Sequence, residues 1–393
     1  MEFKRNGGNV IEQKDANQEN RRRRFARLNP LAGADLDTIK KQLDAHLIQD
    51  THVPNLIEFP SSFATTLNAS HSLVTCGHLI LQDKSSCFPA LALIGEKWSG
   101  GDILDCCAAP GNKSTHLAAL IKGSKSRVIA LDRDPQRFDV LKQRIIEARA
   151  SDTIETRLFD CLALEPHHIP NVTAVLLDPS CSGSGIPGSS ARTLKSERLA
   201  ALASFQLTAL TKFLTCFPAV DKVVYSTCSI HHVENEQVIA KALQATQGTF
   251  ELVHCLPSWT RRGSATIDGL PEHLASRCLR VDPQFDAMTG FFVALFQRVK
   301  PSSNSLLLPP SLIFKQRQQE KRNMKRKLKR LKGRRARNID TPTTTSSIPT
   351  TVPPPIETVT RKRRRTTKKK SADYDQDSGC SLVATKKRCL FSS

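Results

Sequence analysis

The sequence contains no C-x-x-C pair or His/Cys cluster with zinc-ligand spacing, no apolar run of membrane-spanning length, and no G-x-G-x-x-G dinucleotide signature. Cys106 and Cys107 are adjacent, so they cannot easily turn toward one metal ion. These absences argue against a zinc site, a membrane protein, and an enzyme that binds NAD or FAD. Because a secretory signal is also lacking, we expect the twelve cysteines to be reduced and the protein to be soluble and intracellular.

The positive charge is concentrated toward the C-terminal end of the sequence. The formal net charge is +21, and residues 301–393 hold 24 Lys and Arg against 6 Asp and Glu, which gives +18 there and leaves +3 for residues 1–300. A basic segment of this kind binds polyanions by counterion release, largely without regard to sequence. The runs at 325–337 and 361–370 would equally serve as a nuclear or nucleolar address. Composition therefore leaves RNA contact and targeting open.

The pattern divides the chain into four predicted parts. Residues 1–24 are polar and end in four arginines, and we expect them to be disordered. Residues 25–95 mix short apolar stretches, which predicts a small lead-in module packed against the main domain. Residues 96–300 alternate strand and helix patterns, which predicts an α/β domain with a mostly parallel, doubly wound sheet. Residues 301–393 are basic and rich in Pro, Thr and Ser, and we expect them to be disordered.

Two cysteines each follow an apolar run that is typical of a buried strand. Cys181 lies in Asp-Pro-Ser-Cys-Ser-Gly-Ser-Gly after the run 172–177, and Cys228 lies in Ser-Thr-Cys-Ser after the run 222–225. Because ligands bind at the carboxyl edge of such sheets, we expect both thiols in one pocket. A single cysteine is more often a core thiol than a nucleophile. Two at strand ends, flanked by small hydroxyl residues, favour covalent chemistry.

A loop with one glycine and a following acid form a candidate cofactor site. The segment 105–113 joins the first strand of the predicted sheet to a helix, whose N-terminus offers free N–H groups. Asp132 ends the next strand, where a carboxylate can accept hydrogen bonds from both hydroxyls of a ribose. The missing phosphate cradle suits S-adenosylmethionine, a nucleoside without phosphates. An ordinary tight turn beside a surface aspartate is the alternative.

Methylation of cytosine at C5 would use both groups of residues. C5 is a poor nucleophile until a thiolate adds to C6; the adduct must later lose the C5 proton and expel the thiolate. Asp178, three residues before Cys181, offers a carboxyl that could bond N3 and the exocyclic amine and so select cytosine over uracil. The pattern itself does not assign separate roles to Cys181 and Cys228.

Four segments together resemble the motifs of the RsmB/NOP-type (Nop/Sun) RNA cytosine-5 methyltransferases, and in particular the eukaryotic branch that modifies large-subunit rRNA. They read Cys-Ala-Ala-Pro-Gly-Asn-Lys at 107–113, Leu-Asp-Arg-Asp at 131–134, Leu-Asp-Pro-Ser-Cys-Ser-Gly-Ser-Gly at 177–185 and Tyr-Ser-Thr-Cys-Ser at 225–229. The resemblance covers about residues 25–299 and implies a Rossmann-like, S-adenosylmethionine-dependent methyltransferase fold.

The resemblance also implies roles for individual residues. Cys228 would be the nucleophile at C6, and Cys181 would assist release of the product. Asp178 would be the acid, and Lys113 would orient the base or the Asp178 carboxylate. Asp132 would bind the ribose. The remaining cofactor contacts would come from Cys107, Ala108, Ala109, Pro110, Gly111, Asn112, Lys113, Arg137, Asp178 and, at the adenine, Asp160.

The implied partner is RNA, most of all large-subunit rRNA in pre-ribosomal particles, with a monomeric enzyme in the nucleus and nucleolus and no membrane contact. Transfer RNA is an alternative substrate, and the two-cysteine arrangement disfavours DNA. An alternative from another class is a non-catalytic ribosome-assembly factor that binds RNA. Glu234 and Glu236 are interpreted as first-turn carboxylates that the helix dipole favours.

Overall fold

The computed structural model describes residues 23–43, 47–59, 63, 66–95, 98–189, 194–265 and 269–300. The predictions for residues 1–22 and 301–393 lie outside these described residues. The strands are β1 (Arg24–Leu28), β2 (Ile48–Gln49), β3 (Leu56–Phe59), β4 (Leu79–Leu81), β5 (Asp102–Asp105), β6 (Val128–Asp132), β7 (Ile154–Leu158), β8 (Val172–Leu177), β9 (Lys222–Thr227), β10 (Phe250–Val253), β11 (Leu279–Val281) and β12 (Phe291–Arg298). The α-helices are α1 (Leu36–Leu43), α2 (Ser72–Thr75), α3 (Lys84–Ile94), α4 (Asn112–Leu120), α5 (Pro135–Glu147), α6 (Ser196–Cys216), α7 (Glu236–Thr246), α8 (Glu272–Ala275) and α9 (Pro283–Asp286).

The larger sheet confirms the predicted mostly parallel α/β architecture. Its strand order within the described residues is β10-β12-β9-β8-β5-β6-β7, with β11 paired to β12. The strands β7, β6, β5, β8 and β9 run parallel to one another. The last predicted strand, β12, instead runs antiparallel to β9, β10 and β11. The carboxyl ends of β5, β6, β8 and β9 therefore lie along one edge, where ligands bind in open α/β sheets.

Local sequence signals explain where the helices of this domain begin. Pro135 occupies the first turn of α5, and the Asp134 side chain accepts a hydrogen bond from the Arg137 N–H at 2.9 Å. The helix therefore starts where the sequence predicts. Helix α6 has the length and hydropathy that a membrane span also has. Leu210 and Phe213 on α6 are buried in the core of the large sheet, as in the outer helix of an α/β domain.

Residues 24–81 form a second, antiparallel sheet with the strand order β2-β3-β1-β4. Its core contains Ala26, Leu28, Ile57, Phe59 and Leu79, packed against apolar side chains of α1 and α2. The sequence predicted a module here but not its strands β1, β2 and β3. These strands are short, and β2 is exposed at the edge, so the period-2 signal that identifies a strand is weak.

Asn29 and Gly77 fasten the small sheet to the large domain. The Asn29 Nδ2 donates to the carbonyl oxygens of Gly77 at 2.9 Å and Ala148 at 2.8 Å, and Asn29 is fully buried. Gly77 has φ +80°, and a Cβ there would lie 2.1 Å from the carbonyl oxygen of Glu147. Only glycine permits this close approach to the end of α5.

Helix α3 completes the junction. The Asp83 side chain caps it by accepting from the Ser85 N–H at 3.0 Å. Its buried Phe88 and Leu93 share a core with Ile103 and Leu176 of the large sheet. The small sheet thus leads directly into a helix that packs against the large sheet.

Candidate active site

Two loops at the carboxyl edge of the large sheet bring the paired thiols together. The first thiol loop (residues 178–185) follows β8, and the second thiol loop (residues 226–230) includes the end of β9. The Sγ atoms of Cys181 and Cys228 are 3.2 Å apart, within hydrogen-bond distance. The two thiols therefore lie side by side, as expected from their positions after two strands of the same sheet.

The environment distinguishes the two thiols electrostatically. The hydrogen bond from Cys181 lowers the pKa of Cys228, and the nearby Lys113 ammonium lowers it further, against the effect of burial. The same hydrogen bond, together with burial, raises the pKa of Cys181 well above its ordinary value. The pair therefore favours a Cys228 thiolate that accepts a hydrogen bond from a neutral Cys181 thiol, which is the protonation state that a nucleophile needs.

Asp178 and Lys113 form an ion pair beside these thiols. Lys113 Nζ lies 2.7 Å from Asp178 Oδ2, and the Ser226 hydroxyl donates to the other carboxylate oxygen. Burial opposes the charge of Lys113, but the Asp178 carboxylate outweighs it and raises the pKa of Lys113. The ammonium also lies 5.3 Å from the ring centroid of Phe291. The pair holds a cation and a carboxylate ready at the same edge as Cys228.

A buried carboxylate, Glu234, holds the first thiol loop in place. Its Oε1 accepts hydrogen bonds from the Ser182 N–H at 2.9 Å and from Gln206 Nε2 at 3.0 Å. The same Gln206 nitrogen donates to the Ser180 carbonyl at 3.0 Å. The Tyr225 hydroxyl donates to the Glu234 carbonyl at 2.5 Å. The backbone on both sides of Cys181 is thereby fixed by side chains of neighbouring elements.

Sequence reasoning missed this role. It interpreted Glu234 and Glu236 as first-turn carboxylates, and both do lie in first turns, but it did not predict that both are fully buried. Glu236 pairs with Arg280, whose guanidinium nitrogens lie 2.6 Å from its two carboxylate oxygens. No local pattern signals the burial of Glu234, because its partners Ser182 and Gln206 come from distant segments of the chain.

Hydroxyl groups and backbone contacts join the two thiol loops to each other. The hydroxyls of Ser182, Ser184 and Ser229 lie 3.0 to 3.2 Å from one another. The Gly185 N–H donates to the Cys228 carbonyl at 2.9 Å. A Cβ on Gly185 would lie 2.2 Å from the carbonyl oxygen of Gly290, the residue before β12. Any side chain at position 185 would therefore push the first thiol loop away from β12. The two cysteines are consequently held on one rigid platform.

The candidate cofactor loop lies beside this platform, between β5 and α4. Gly111 has φ +109°, and a Cβ there would lie 3.1 Å from Leu141 Cδ1. Asp132 is only 3% exposed, so the alternative of a surface aspartate is wrong. Its Oδ2 accepts from the Ala109 N–H at 3.2 Å and lies 3.4 Å from Arg137 Nη2, which donates to the Ala109 carbonyl at 2.7 Å. Loop, acid and arginine therefore form one contiguous site.

Two further acids lie at this edge. Asp105 is buried and accepts from the Ser114 hydroxyl at 2.7 Å, while its Oδ1 is buried without a partner among the described residues. Burial raises the pKa of Asp105 to about 7. Asp160 is more exposed and accepts from the Leu162 N–H at 2.8 Å. The unpartnered Oδ1 of Asp105 beside the loop fits the ammonium group of an amino acid, and Asp132 at the end of β6 fits a nucleoside. S-adenosylmethionine contains both of these groups.

A cavity of about 460 Å³ opens over Cys228 and lies next to the candidate cofactor loop. Cys228, Asp178, Lys113 and Phe291 line its inner part. The opposite wall comes from the small sheet and the start of α3 through Arg24, Phe25, Phe59, Gln82 and Asp83. The volume lies within the usual range for small-molecule pockets and accommodates one nucleotide. The small sheet is thus part of the pocket that holds the reactive thiol.

The fold and the residues at its carboxyl edge define a Rossmann-like methyltransferase. The model of the 16S rRNA methyltransferase RsmB/F family matches residues 92–297. The chain therefore belongs to the RsmB/F family of rRNA methyltransferases, which confirms the resemblance found in the sequence motifs.

Relatives within this family carry names that refer to large-subunit rRNA. A mouse 28S rRNA (cytosine-C(5))-methyltransferase is 41% identical over 273 residues, which are 68% of this chain and 55% of the relative. An Arabidopsis thaliana 25S rRNA (cytosine-C(5))-methyltransferase is 40% identical over 298 residues, 72% of this chain and 50% of the relative. The chain therefore spans about half the length of the curated relatives it matches.

A solved structure agrees with the fold. The crystal structure of NSun6 from Pyrococcus horikoshii with SFG superposes with a TM-score of 0.58 at 16% identity and covers 75% of this chain and 96% of that one. At this identity the similarity concerns the fold alone. It extends well beyond the region that the family model matches.

Proposed function

We propose that this protein is an S-adenosylmethionine-dependent RNA cytosine-5 methyltransferase that acts on large-subunit rRNA through a covalent Cys228–C6 adduct. The observation that carries the proposal is the pair of thiols 3.2 Å apart, beside the ion pair of Lys113 and Asp178. The relatives named for large-subunit rRNA support this substrate over transfer RNA. A non-catalytic assembly factor would have no use for a thiolate stabilised in this way.

The cofactor residues fit S-adenosylmethionine. Asp132 would bind the ribose, Asp160 the adenine amine, and Arg137 and residues 107–113 the rest of the molecule. The orphaned Oδ1 of Asp105 offers an acceptor for the amino group of its methionine end. When bound, the cofactor supplies a methyl group on a sulfonium. The SFG in the archaeal neighbour, an analogue of S-adenosylmethionine, supports this choice.

The chain's own residues would act in sequence on the base. The Cys228 thiolate forms a bond to C6, while Asp178 takes a proton from the Lys113 ammonium, donates it to N3 and accepts a hydrogen bond from the exocyclic amine. Electron density then moves to C5, which takes up the methyl group. A base removes the C5 proton, and the electron pair left behind expels the Cys228 thiolate. The Cys181 thiol donates a hydrogen bond to that departing sulfur and so stabilises the leaving group.

RNA would reach this pocket with its target base extruded from the stack, which favours single-stranded or loop regions. The protein would then work in the nucleus and nucleolus, as a monomer, on rRNA or pre-ribosomal particles. The lead-in module, residues 25–95, would contribute to RNA binding through the wall of the pocket.

The separate roles of the two thiols can be tested by trapping the adduct. Cys181→Ala should allow attack but slow release, because the leaving thiolate loses its hydrogen-bond donor. We expect a protein–RNA adduct that survives denaturing gel electrophoresis, in assays with large-subunit rRNA and labelled S-adenosylmethionine. Cys228→Ala should yield neither adduct nor methylated product.

Cys216→Ala is the matched control, because Cys216 is an exposed thiol at the end of α6. This variant should behave as wild type. A trapped adduct with Cys228→Ala instead of Cys181→Ala would reverse the two roles. Absence of methyl transfer from wild type on rRNA, with transfer to tRNA, would move the substrate to tRNA; absence on both would favour the non-catalytic alternative.

A further inference from the structure

The charged side chains of the nucleotide pocket do not all have partners. Lys113 and Asp178 pair with each other at 2.7 Å. Asp83 accepts from the Thr289 N–H at 3.2 Å, from the Thr289 hydroxyl at 3.0 Å and from the Ser85 hydroxyl at 2.7 Å. Arg24, at the start of β1, is exposed, and its side chain has no hydrogen-bond or ion-pair partner among the described residues. One positive charge in the pocket lining is therefore left over for a ligand.

The neighbouring residue, Arg23, differs from Arg24 because its guanidinium group does have a partner. Arg23 forms an ion pair with Glu58 of β3, with its Nε 2.8 Å from a carboxylate oxygen. It therefore serves the small sheet itself. Arg24 and Arg23 are adjacent in sequence but differ in what their guanidinium groups contact. They form a natural pair for comparison.

The chemistry of the pocket indicates which ligand group meets Arg24. Besides the charged residues, the walls carry Phe25, Phe59, Leu67 and Phe291, which suit a base but not an ionised phosphate. A nucleotide with its base at Cys228 must therefore leave its phosphates at the exposed rim. A guanidinium group binds phosphate oxygens in a bidentate geometry that a lysine cannot reproduce.

We infer that Arg24 binds a backbone phosphate of the target nucleotide or of its immediate neighbour, so that the small sheet positions the extruded cytosine over Cys228. This inference rests on the proposed function, since it takes the ligand of the pocket to be RNA. Arg24 acts as a substrate-binding residue outside the region that the family model matches, which begins at residue 92. The small sheet is thereby a working part of the active site.

The test compares Arg24→Gln with Arg23→Gln in the full-length chain. With unmodified large-subunit rRNA transcribed in vitro, Arg24→Gln should raise KM about tenfold, the effect of removing one charged hydrogen bond. Its kcat should be unchanged, because a phosphate interaction is made equally before and during the reaction. The slope of log K against log salt should fall by about 0.7, as expected for one phosphate on single-stranded RNA.

The controls separate binding from folding. Arg23→Gln removes the same charge next to the pocket, and we expect its KM and its salt slope to match wild type. Arg24→Lys should keep the salt slope but bind less tightly, because it retains the charge and loses the bidentate geometry. Thermal unfolding of Arg24→Gln should match wild type, since the side chain is exposed and unpaired among the described residues.

A chemical change in the RNA provides an independent readout. Once the methylated cytosine is mapped, an oligonucleotide with one neutral methylphosphonate linkage next to it should bind wild type as weakly as Arg24→Gln binds the normal RNA. The same linkage should not weaken the binding of RNA by Arg24→Gln any further. If wild type and Arg24→Gln have the same KM and the same salt slope, the inference about Arg24 is wrong, although methylation by wild type would still support the proposed function. Failure of wild type to methylate any RNA would instead overturn the proposed function.

Discussion

At the scale of single residues, the reactivity of the site depends on the difference between two thiols that have the same chemistry. Cys228 and Cys181 share one hydrogen bond, and only the acceptor of that bond is stabilised as a thiolate. Lys113 adds to the stabilisation of Cys228, although Asp178 opposes it. The arrangement favours a thiolate at Cys228 and a protonated thiol at Cys181, without a histidine in hydrogen-bond contact with either sulfur in the described part of the chain.

This difference predicts how alkylation depends on pH. Because the pKa of Cys228 is lowered, its reaction with iodoacetamide should reach half its maximal rate at a lower pH than that of an ordinary thiol. Cys181→Ala removes the hydrogen-bond donor, so the pKa of Cys228 rises and the half-maximal rate moves to higher pH. Peptide mass spectrometry measures each thiol separately, and the exposed Cys216 reports the general rate. A midpoint that stays in place in Cys181→Ala would show that the hydrogen bond does not stabilise the thiolate.

At the scale of secondary-structure elements, the junction between the small sheet and α5 positions one wall of the cavity over Cys228. The small sheet supplies one wall of that pocket, so any loosening of the junction displaces the wall. Asn29 bridges the two parts with two buried hydrogen bonds, and Gly77 lets the backbones touch. The integrity of this junction should therefore be visible in both stability and activity.

Two glycines of the small sheet allow this junction to be tested. Gly77 and Gly33 both have positive φ, at +80° and +73°, but a Cβ on Gly33 would meet nothing within 4 Å. Gly33→Ala should cost about 1 to 2 kcal/mol of unfolding free energy, from backbone conformation alone. Gly77→Ala should cost ~1 to 3 kcal/mol more, because the added methyl group collides with the Glu147 carbonyl. Urea denaturation measures both, and equal losses would show that the close approach contributes nothing.

The elements also show what the sequence could and could not predict. Strands β6, β8 and β9 follow from apolar or β-branched runs, and the positions of Asp178 and the two thiols follow from their places after β8 and β9. Strands β10 and β11 are short, with β10 partly exposed, and the sequence did not predict them. The burial of Glu234 depends on Gln206 and Ser182, which come from distant segments, so no local pattern could indicate it.

At the scale of the whole molecule, the distribution of charge is as informative as the fold. Residues 1–300 carry a net charge of only +3, whereas residues 301–393 carry +18. A region this close to neutrality gains little from attraction to a polyanion. If RNA is the substrate, sequence-independent affinity should come mainly from the basic runs, and selection of the base from the pocket.

Replacement of the eight Lys and Arg residues in 361–370 by Gln tests this division of labour. The variant should bind large-subunit rRNA more weakly, with a salt slope lower by about 0.7 for each phosphate that is no longer neutralised, while kcat at saturating RNA stays at the wild-type value. The matched control replaces the eight Ser and Thr residues in 341–351 by Gln and should leave the slope unchanged. Filter binding across a salt series measures both. If the basic run is only a nucleolar address, the variant will bind RNA as wild type does but will fail to accumulate in the nucleolus. The same charges can serve either purpose, and only the binding assay in vitro measures RNA contact alone.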